Sequence, residues 1–437
     1  MSDSRALPRR PVAGSSREKR LPRVFLCPPV AQYSVSRQAE RYNRGDNLRR
    51  KLAHVLRRWG RSLTPTILFV HQDVGRLDYE TASYHWLAGE AGFRAFAATW
   101  RDIGPSERGT FLRSGYQAVD RHRKRSVAPG EIVQPQIVVH RKLLWGLSMA
   151  LIKRLRERHP TALFSYHPTW TAACQKWNME LCFREAERQG IRVARPVTYL
   201  VEKRYFSTRL RSAGHARPLI FKPAGASHCD GILISTPQSF ESVAAEAAQS
   251  RYRRYVVQEL VENPVLYKGT KFDLRVYAML ISLDPLRYRV YHEGVVRLAA
   301  ERYDQALQDQ PVRALTGCSY RKKLGLPIEN LSVSELLEYL RGKGYDVDDF
   351  WSRIGALFES VFLSFRCLPR TEGAGLSDSF YFAGADVLLA ERDRRIEPLF
   401  LETNEVPQMT DWGADVDSRL QTAYRDWVGD LKELCPW

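Results

Sequence analysis

The segment 271–282 constrains the fold most strongly, because charged and apolar residues alternate along its first half. Successive side chains of a β-strand point to opposite faces, so Lys271, Asp273 and Arg275 share one face. Phe272 and Leu274 lie on the opposite face, where we expect them to be buried. A lysine and an arginine over an apolar backing are suited to binding phosphate groups. A solvated sheet face shows the same alternation, so this alternative stays open on the strand alone.

Two strand-like segments near the C-terminus predict a hairpin that carries acidic residues. If the polar turn between them is centred on Arg394, Asp386 lies directly opposite Glu402, with Cβ atoms about 5 Å apart. Asn404 shares the face of Glu402. Two carboxylates and an amide oxygen on one face form an all-oxygen site suited to Mg²⁺. In the alternative interpretation, both carboxylates face solvent or pair with arginines of the turn.

A lysine followed by a loop of small residues is the third feature with a chemical meaning. Lys222 ends a predicted strand, and the loop 224–231 after it contains glycines and alanines. The backbone N–H groups of such a loop can close over phosphates, while the lysine neutralises their charge. Many hairpin loops have this composition, so the loop by itself carries little weight.

The chain is long enough, at 437 residues, to bury more than one core. Residues 23–165 alternate apolar strands with helices, which favours an α/β domain with a largely parallel sheet. Beyond them the chain is richer in strands joined by short turns. We expect two units there, over residues 166–255 and 256–437. Residues 1–22 combine Arg, Ser and Pro with little apolar content, which predicts a basic disordered tail.

The net charge of +18 predicts an acidic partner, which composition does not resolve into nucleic acid, lipid surface or acidic polypeptide. The seven cysteines are scattered and contain no CxxC pair, a pattern that fits a reducing compartment. No apolar run approaches the roughly 20 residues that a membrane-spanning helix needs. We therefore expect a cytoplasmic protein with no membrane span.

The order of these elements resembles the tubulin tyrosine ligase-like branch of the ATP-grasp superfamily. The resemblance covers residues 165–412, and its most specific part is the KFDLR segment that begins at Lys271. The other matching elements are Lys222 with its loop, the segment 256–264, and Glu402-Thr403-Asn404 followed by Pro407. The resemblance implies an α+β ATP-grasp fold, in which two β-rich subdomains clasp a nucleotide, preceded by an N-terminal α/β domain.

The resemblance also implies ATP and Mg²⁺ as cofactors and assigns roles to individual residues. Arg275 and Arg297 would face the γ-phosphate and the reacting carboxylate as catalytic residues. The segment 258–261 would meet the adenine, largely through backbone groups. The expected nucleotide-binding residues are Lys222, Gln258, Glu259, Val261, Lys271 and Asp273. The expected metal ligands are Asp386, Glu402 and Asn404.

The function implied by the resemblance is amide-bond formation between a carboxylate and an amine, through an acyl phosphate. The substrates would be an amino acid and a polypeptide or peptide carboxylate, and an acidic polypeptide fits the positive charge of the chain. Gly317 departs from the family pattern, which usually has asparagine in an L-T-N-x-S stretch. Because of this departure, a catalytically inactive nucleotide-binding protein stays an alternative interpretation of the chain. The charge keeps open a nucleic-acid-binding protein, although no recognisable nucleic-acid-binding motif is present.

Overall fold

The structure is a computed structural model of the chain. It describes residues 65–71, 88–89, 92–106, 109–119, 124–141, 145–165, 167–206, 210–227, 229–368, 379–392, 395–405, 407 and 414–434. Within these ranges the chain is a mixed α/β protein with four sheets. None of the helices found there is long and apolar enough to cross a membrane. The predicted basic tail, residues 1–22, lies outside the described residues.

The N-terminal part contains a largely parallel sheet, as the alternation of strands and helices predicts. The first nine strands are β1 (Thr66–His71), β2 (Arg94–Thr99), β3 (Ile103–Ser106), β4 (Gly109–Leu112), β5 (Tyr116–Ala118), β6 (Lys124–Ser126), β7 (Glu131–Val133), β8 (Ile137–Arg141) and β9 (Leu163–Phe164). Six of them form a sheet in the order β6-β5-β2-β1-β8-β9, in which β1 runs parallel to β2 and β8. The strands β3, β4 and β7 form a small antiparallel sheet. Helix α1 (Trp145–Arg158) packs Leu151 and Leu155 into the same core as Leu68 and Val138 of the larger sheet.

A four-stranded antiparallel sheet, the central sheet, follows two helices, α2 (Pro168–Ala173) and α3 (Lys176–Arg188). Its strands are β10 (Thr198–Glu202), β11 (Leu219–Pro223), β12 (Leu233–Ser235) and β13 (Arg254–Glu259), in the order β10-β13-β11-β12. Two helices accompany these strands, α4 (Arg211–Ala216) and α5 (Phe240–Gln249). The spacing of Phe240, Ala244 and Ala247 places them on one face of α5, and they pack against Phe221 and Val257 of the sheet.

The largest sheet, called the large sheet below, carries the KFDLR segment. Its strands are β14 (Leu266–Tyr267), β15 (Thr270–Leu283), β16 (Leu286–Arg302), β17 (Asn330–Ser332), β18 (Tyr381–Arg392) and β19 (Arg395–Glu405). The order is β17-β16-β15-β18-β19, with β14 paired to β15, and all pairings are antiparallel. The accompanying helices are α6 (Pro311–Ala314), α7 (Cys318–Lys323), α8 (Val333–Gly342), α9 (Phe350–Ser364) and α10 (Ala414–Leu434).

The apolar faces of the large sheet explain why its central strand is so hydrophobic. Phe272 and Leu274 are fully buried in one core with Ile354 and Phe358 of α9. Further along β15, Tyr277 and Met279 point into a second core, which includes Trp427 of α10 and Phe69 of β1. The second half of β15 is therefore covered on both faces. The first half leaves its charged face open toward the central sheet. The predicted domain boundaries, at residues 165 and 255, stay predictions.

Candidate functional site

A cavity of about 380 Å³ lies between the central sheet and the large sheet. Cavities of this volume are typical of small-molecule sites. All of the predicted site residues line it, namely Lys222, Gln258, Glu259, Val261, Lys271, Asp273, Arg275, Arg297, Asp386, Glu402 and Asn404. The structure thus brings together residues that lie up to 182 positions apart on facing sheets, from Lys222 to Asn404 (404 minus 222). Their individual roles stay predictions.

A buried network of four charged side chains lies on the cavity face of β15, β16 and β18. Asp273 lies opposite Arg297 on β16, and Arg275 lies opposite Asp386 on β18. Arg297 donates through Nε and Nη2 to the two carboxylate oxygens of Asp273, at 2.6 and 2.7 Å. Its Nη2 also lies 2.8 Å from Oδ2 of Asp386, and Arg275 Nε donates to Oδ1 of Asp386 at 2.6 Å. Acidic and basic side chains therefore alternate through the network.

Burial makes this network a fixed feature of the site. Its four residues are each at most 8% exposed. Burial alone would raise the pKa of the Asp386 carboxyl, but Arg275 and Arg297 outweigh it and lower that pKa to about 2. Thr316 completes the surroundings of Asp273, because its Oγ1 donates to Oδ2 of Asp273 at 2.6 Å. Asp386 therefore remains ionised at neutral pH, and its carboxylate and that of Asp273 hold both guanidinium groups in place.

The predicted pairing of Asp386 with Glu402 is confirmed, although the register that produces it is not the simple one. Nearer the turn, Val387 lies opposite Phe400, and an irregularity follows before Asp386 lies opposite Glu402. Leu401 is thus the extra residue of a β-bulge. The bulge brings the two carboxylates side by side at the cavity.

The donors at this hairpin fit a magnesium ion. Asn404 Nδ2 donates to the carbonyl oxygen of Gly384 at 3.4 Å, which leaves its Oδ1 as an acceptor beside Asp386 and Glu402. Glu402 Oε2 already attracts a cation, since the Nζ of Lys176 lies 3.1 Å away. In the described part of the chain, no group of three or more His, Cys, Asp or Glu side chains could hold a metal. Two carboxylates and one amide would leave positions for phosphate oxygens and water, as Mg²⁺ prefers.

Two lysines make the cavity attractive to a polyanion. Lys222 lies near the end of β11 and Lys271 near the start of β15, and both line the cavity. Burial, together with the nearby charge of Lys222, lowers the pKa of Lys271 to about 8, against the attraction of Asp273. Burial also lowers the pKa of Lys222, against the attraction of Glu402. An anionic ligand between the two ammonium groups would relieve their mutual repulsion.

Sequence reasoning missed Lys176 and Thr316. Lys176 is the first residue of α3, and its Nζ donates to the carbonyl oxygen of Ala226 at 3.2 Å as well as pairing with Glu402. It therefore ties the loop after Lys222 to the hairpin of β18 and β19 that carries the predicted metal ligands. The available signal was its position, because a lysine in the first turn of a helix opposes the helix dipole. Thr316 stands in the stretch that contains Gly317, but its partner lies on another strand.

The end of the cavity at the segment 258–261 is more apolar. Ile220 and Leu388 line the cavity from the two facing sheets. The backbone N–H of Glu259 donates to the carbonyl oxygen of Val197 at 2.9 Å, and the Glu259 carboxylate accepts a hydrogen bond from the hydroxyl of Tyr199 at 2.8 Å. These bonds fix the strand edge beside the apolar walls. The cavity thus has an apolar end suited to a planar ring and a charged end suited to phosphates.

Comparison with known proteins gives a family match over most of the chain. Residues 155–426 match the Tubulin-tyrosine ligase family. Tubulin polyglutamylase TTLL7 of Mus musculus is 29% identical over 248 residues, and its counterpart from Homo sapiens is 32% identical over 244 residues. Each of these alignments covers 51% of this chain and 26% of the relative. Tubulin polyglutamylase TTLL5 of Homo sapiens is 28% identical over 232 residues, or 49% of this chain and 17% of that protein. The chain thus spans about a quarter or less of the length of these curated relatives.

Proposed function

Because the chain belongs to the tubulin-tyrosine ligase family, we propose that it is an ATP- and Mg²⁺-dependent ligase that joins a carboxylate to an amine. The central sheet and the large sheet would be the two β-rich subdomains of an ATP-grasp fold, with the nucleotide between them. One observation carries the proposal. The buried array of Asp273, Arg275, Arg297 and Asp386 faces the same cavity as Glu402 and the two lysines described above.

The nucleotide would lie along the cavity from its apolar end to its charged end. The adenine would lie between Ile220 and Leu388, beside the backbone of the segment 258–261. Lys222 and Lys271 would contact the phosphates, because their lowered pKa values reflect buried positive charge without enough anionic partners. A Mg²⁺ ion held by the hairpin ligands would neutralise charge on the phosphates during transfer.

The reaction would proceed in two steps, because a free carboxylate is a poor electrophile. First, a carboxylate oxygen of the acceptor bonds to the γ-phosphorus of ATP, and the bond from that phosphorus to the bridging oxygen breaks, which releases ADP. The amine nitrogen then attacks the acyl carbon, phosphate leaves, and the nitrogen loses a proton to solvent. Arg275 and Arg297 would stabilise the charge on the transferring group from fixed positions. Their carboxylate partners hold them there, so no reorganisation is needed during the reaction.

For the substrates, we propose an amino acid and a carboxylate of an acidic polypeptide. The similar proteins named above are tubulin polyglutamylases. The net charge of +18 would attract an acidic chain and would raise its rate of encounter at low ionic strength. The scattered cysteines fit a reducing cytoplasm as the place of the reaction.

A catalytically inactive nucleotide-binding protein is the second candidate, and Gly317 is the observation that favours it. Gly317 has no side chain where the family usually has asparagine. Against this candidate, the adjacent Thr316 keeps its hydrogen bond to Asp273, and the charged network is complete. We therefore prefer the ligase.

The proposal is tested by measuring ADP release with ATP, Mg²⁺, a panel of amino acids and an acidic peptide. We expect release that requires both the amino acid and the peptide. Glu402→Gln should abolish ADP release, because it removes a predicted carboxylate ligand of Mg²⁺. It should leave the fold intact, because glutamine has the shape of glutamate. The matched control is Glu397→Gln, an exposed position on the same strand, which should keep full activity. A Glu402→Gln variant with full activity would overturn the assignment.

A further inference from the structure

Position 317 favours glycine because there is little space for a side chain, whereas its backbone conformation is open to any residue. Its backbone angles, φ −66° and ψ 128°, are accessible to any residue. A Cβ at this position would lie 2.9 Å from the Sγ of Cys229, closer than real contacts allow. Leaving aside the two neighbours of Gly317 in the chain, this sulfur is the one heavy atom of the described residues within 4 Å of that Cβ. The space for a side chain at position 317 is thus limited by a single side chain, that of Cys229.

Cys229 itself has a strained backbone. Its φ of 57° lies in the left-handed region, which residues other than glycine and asparagine rarely adopt. It belongs to the loop of small residues that follows Lys222. A strained residue that persists in a loop beside a ligand cavity indicates a functional constraint on its position. The thiol is held against Gly317 although a glycine at 229 would relax the loop.

The contact bridges the two walls of the cavity, and Cys229 packs there against the apolar cluster of Ile220, Ile234 and Leu315. Cys229 comes from the loop between β11 and β12 of the central sheet, whereas Gly317 precedes α7 on the side of the large sheet, and both line the cavity. Burial raises the pKa of the Cys229 thiol, and among the charges that act on it Glu402 raises it further while Arg297 lowers it. The thiol is therefore neutral, and the charges of a predicted metal ligand and a predicted catalytic arginine both act on it.

We propose that Gly317 and Cys229 form one specificity element, in which the thiol fills the space of a side chain at position 317 and limits the size of the amino acid that enters the reaction. The inference rests on the proposed ligase function and names a determinant of its amine substrate. A thiol is a weak hydrogen-bond donor and acceptor, so it acts through its volume. The amino acid would lie near this contact because Cys229 and Gly317 line the same cavity as Arg297 and Glu402, which mark the proposed place of transfer.

The first experiment compares amino acids of increasing size as substrates of the wild type and of Cys229→Ala, with ADP release as the readout. Removal of the sulfur should raise the ratio of kcat/KM for large over small amino acids by about tenfold, since a change of one methylene-sized group in a pocket is worth roughly 10- to 200-fold. Cys367→Ala is the matched control, because Cys367 lies outside the cavity lining.

The second experiment measures the contact without any need for activity. Gly317→Ala should lower the urea midpoint of unfolding, because its methyl group meets the thiol, and adding Cys229→Ala should restore it. Gly342→Ala is the control, since nothing lies within 4 Å of a Cβ at that helical position. An equal effect of Gly317→Ala with and without the thiol would overturn the inference.

The outcomes separate this inference from the ligase proposal. If the wild type releases ADP and Cys229→Ala leaves the order of amino acids unchanged, the specificity element is wrong and the ligase stands. If the wild type shows no amino-acid-dependent ADP release, the ligase proposal is wrong and this inference falls with it. A shifted amino-acid order together with the restored midpoint would establish the element.

Discussion

The two walls of the cavity are built in different ways. On the large sheet, Asp273, Arg275, Arg297 and Asp386 neutralise one another across three adjacent strands and are almost fully buried. On the central sheet, Lys222 is followed by a loop of small residues, tied to the rest of the site through Lys176. The large-sheet wall carries charges whose positions are set before any ligand arrives. The central-sheet wall carries Lys222, whose pKa is lowered by burial against the attraction of Glu402.

The largest difference between the walls should be seen in the free energy of unfolding. Asp386→Ala leaves the guanidinium groups of Arg275 and Arg297 short of a partner in a buried site. Loss of one member of a buried ion pair costs about 3–5 kcal/mol. We expect a loss of that size from urea unfolding followed by circular dichroism.

An exposed ion pair provides the control for this prediction. Arg188 pairs with Glu185 and its side chain is 72% exposed. Because water screens such a pair, Arg188→Ala should cost less than about 1 kcal/mol. If Asp386→Ala cost as little as Arg188→Ala, the large-sheet wall would not be the fixed array described above.

Lys271 also lies on the large sheet but outside the network of paired charges, and it should give the stability of the chain a pH dependence. Its pKa in the folded chain is lowered to about 8, from an ordinary value of 10.5. Between these two values the unfolded chain binds more protons than the folded chain, so stability rises with pH across this window and the penalty is present in full below it. The shift corresponds to about 3 kcal/mol. Urea unfolding at a series of pH values should show this rise in the wild type.

The matched variant Lys271→Met should lack this part of the rise, because it has no ammonium group to deprotonate. It should also be more stable than the wild type at neutral pH. Equal slopes for the two proteins between pH 8 and pH 10.5 would contradict the lowering of the Lys271 pKa by burial.

Replacement of Lys222 should affect the stability of the chain least of the three changes, but it should clearly weaken the binding of an ATP analogue. Lys222→Met should not lower the free energy of unfolding, because burial lowers the pKa of this lysine and the folded chain therefore disfavours its charge. A hydrogen bond to a charged group contributes about 1.5–3 kcal/mol, so affinity for an ATP analogue should fall about 10- to 100-fold. Isothermal calorimetry measures the affinity, and Lys343→Met, at an exposed position away from the cavity, should leave it unchanged. If Lys222→Met lowered the free energy of unfolding as much as Asp386→Ala does, the two walls would not differ in how their charges contribute to stability.

The charged wall was largely predictable from the sequence because strand alternation is a local property. The alternation in β15 predicts the shared face of Lys271, Asp273 and Arg275, and hairpin geometry predicts Asp386 opposite Glu402. The irregularity beside Asp386 was not predictable. A β-bulge arises from the local backbone and its packing, and no glycine or proline marks it here.

Contacts between distant segments could not be predicted. Lys176 reaches Glu402 only because α3 packs beside the hairpin, and the contact of Cys229 with Gly317 depends on how the two sheets face each other. The long helix α10 was also missed. The spacing of Leu420, Tyr424, Trp427, Val428 and Leu431 is typical of one buried helical face and was available as a signal.

The proposed function requires that the cavity bind ATP with Mg²⁺ at the hairpin of β18 and β19. Its most direct test is calorimetric titration of a non-hydrolysable ATP analogue, with and without Mg²⁺, into the wild type and the double variant Glu402→Ala, Asn404→Ala. We predict binding to the wild type that strengthens with Mg²⁺, and loss of this metal dependence in the variant. Absence of binding to the wild type at millimolar analogue, or the same metal dependence in both proteins, would contradict the claim.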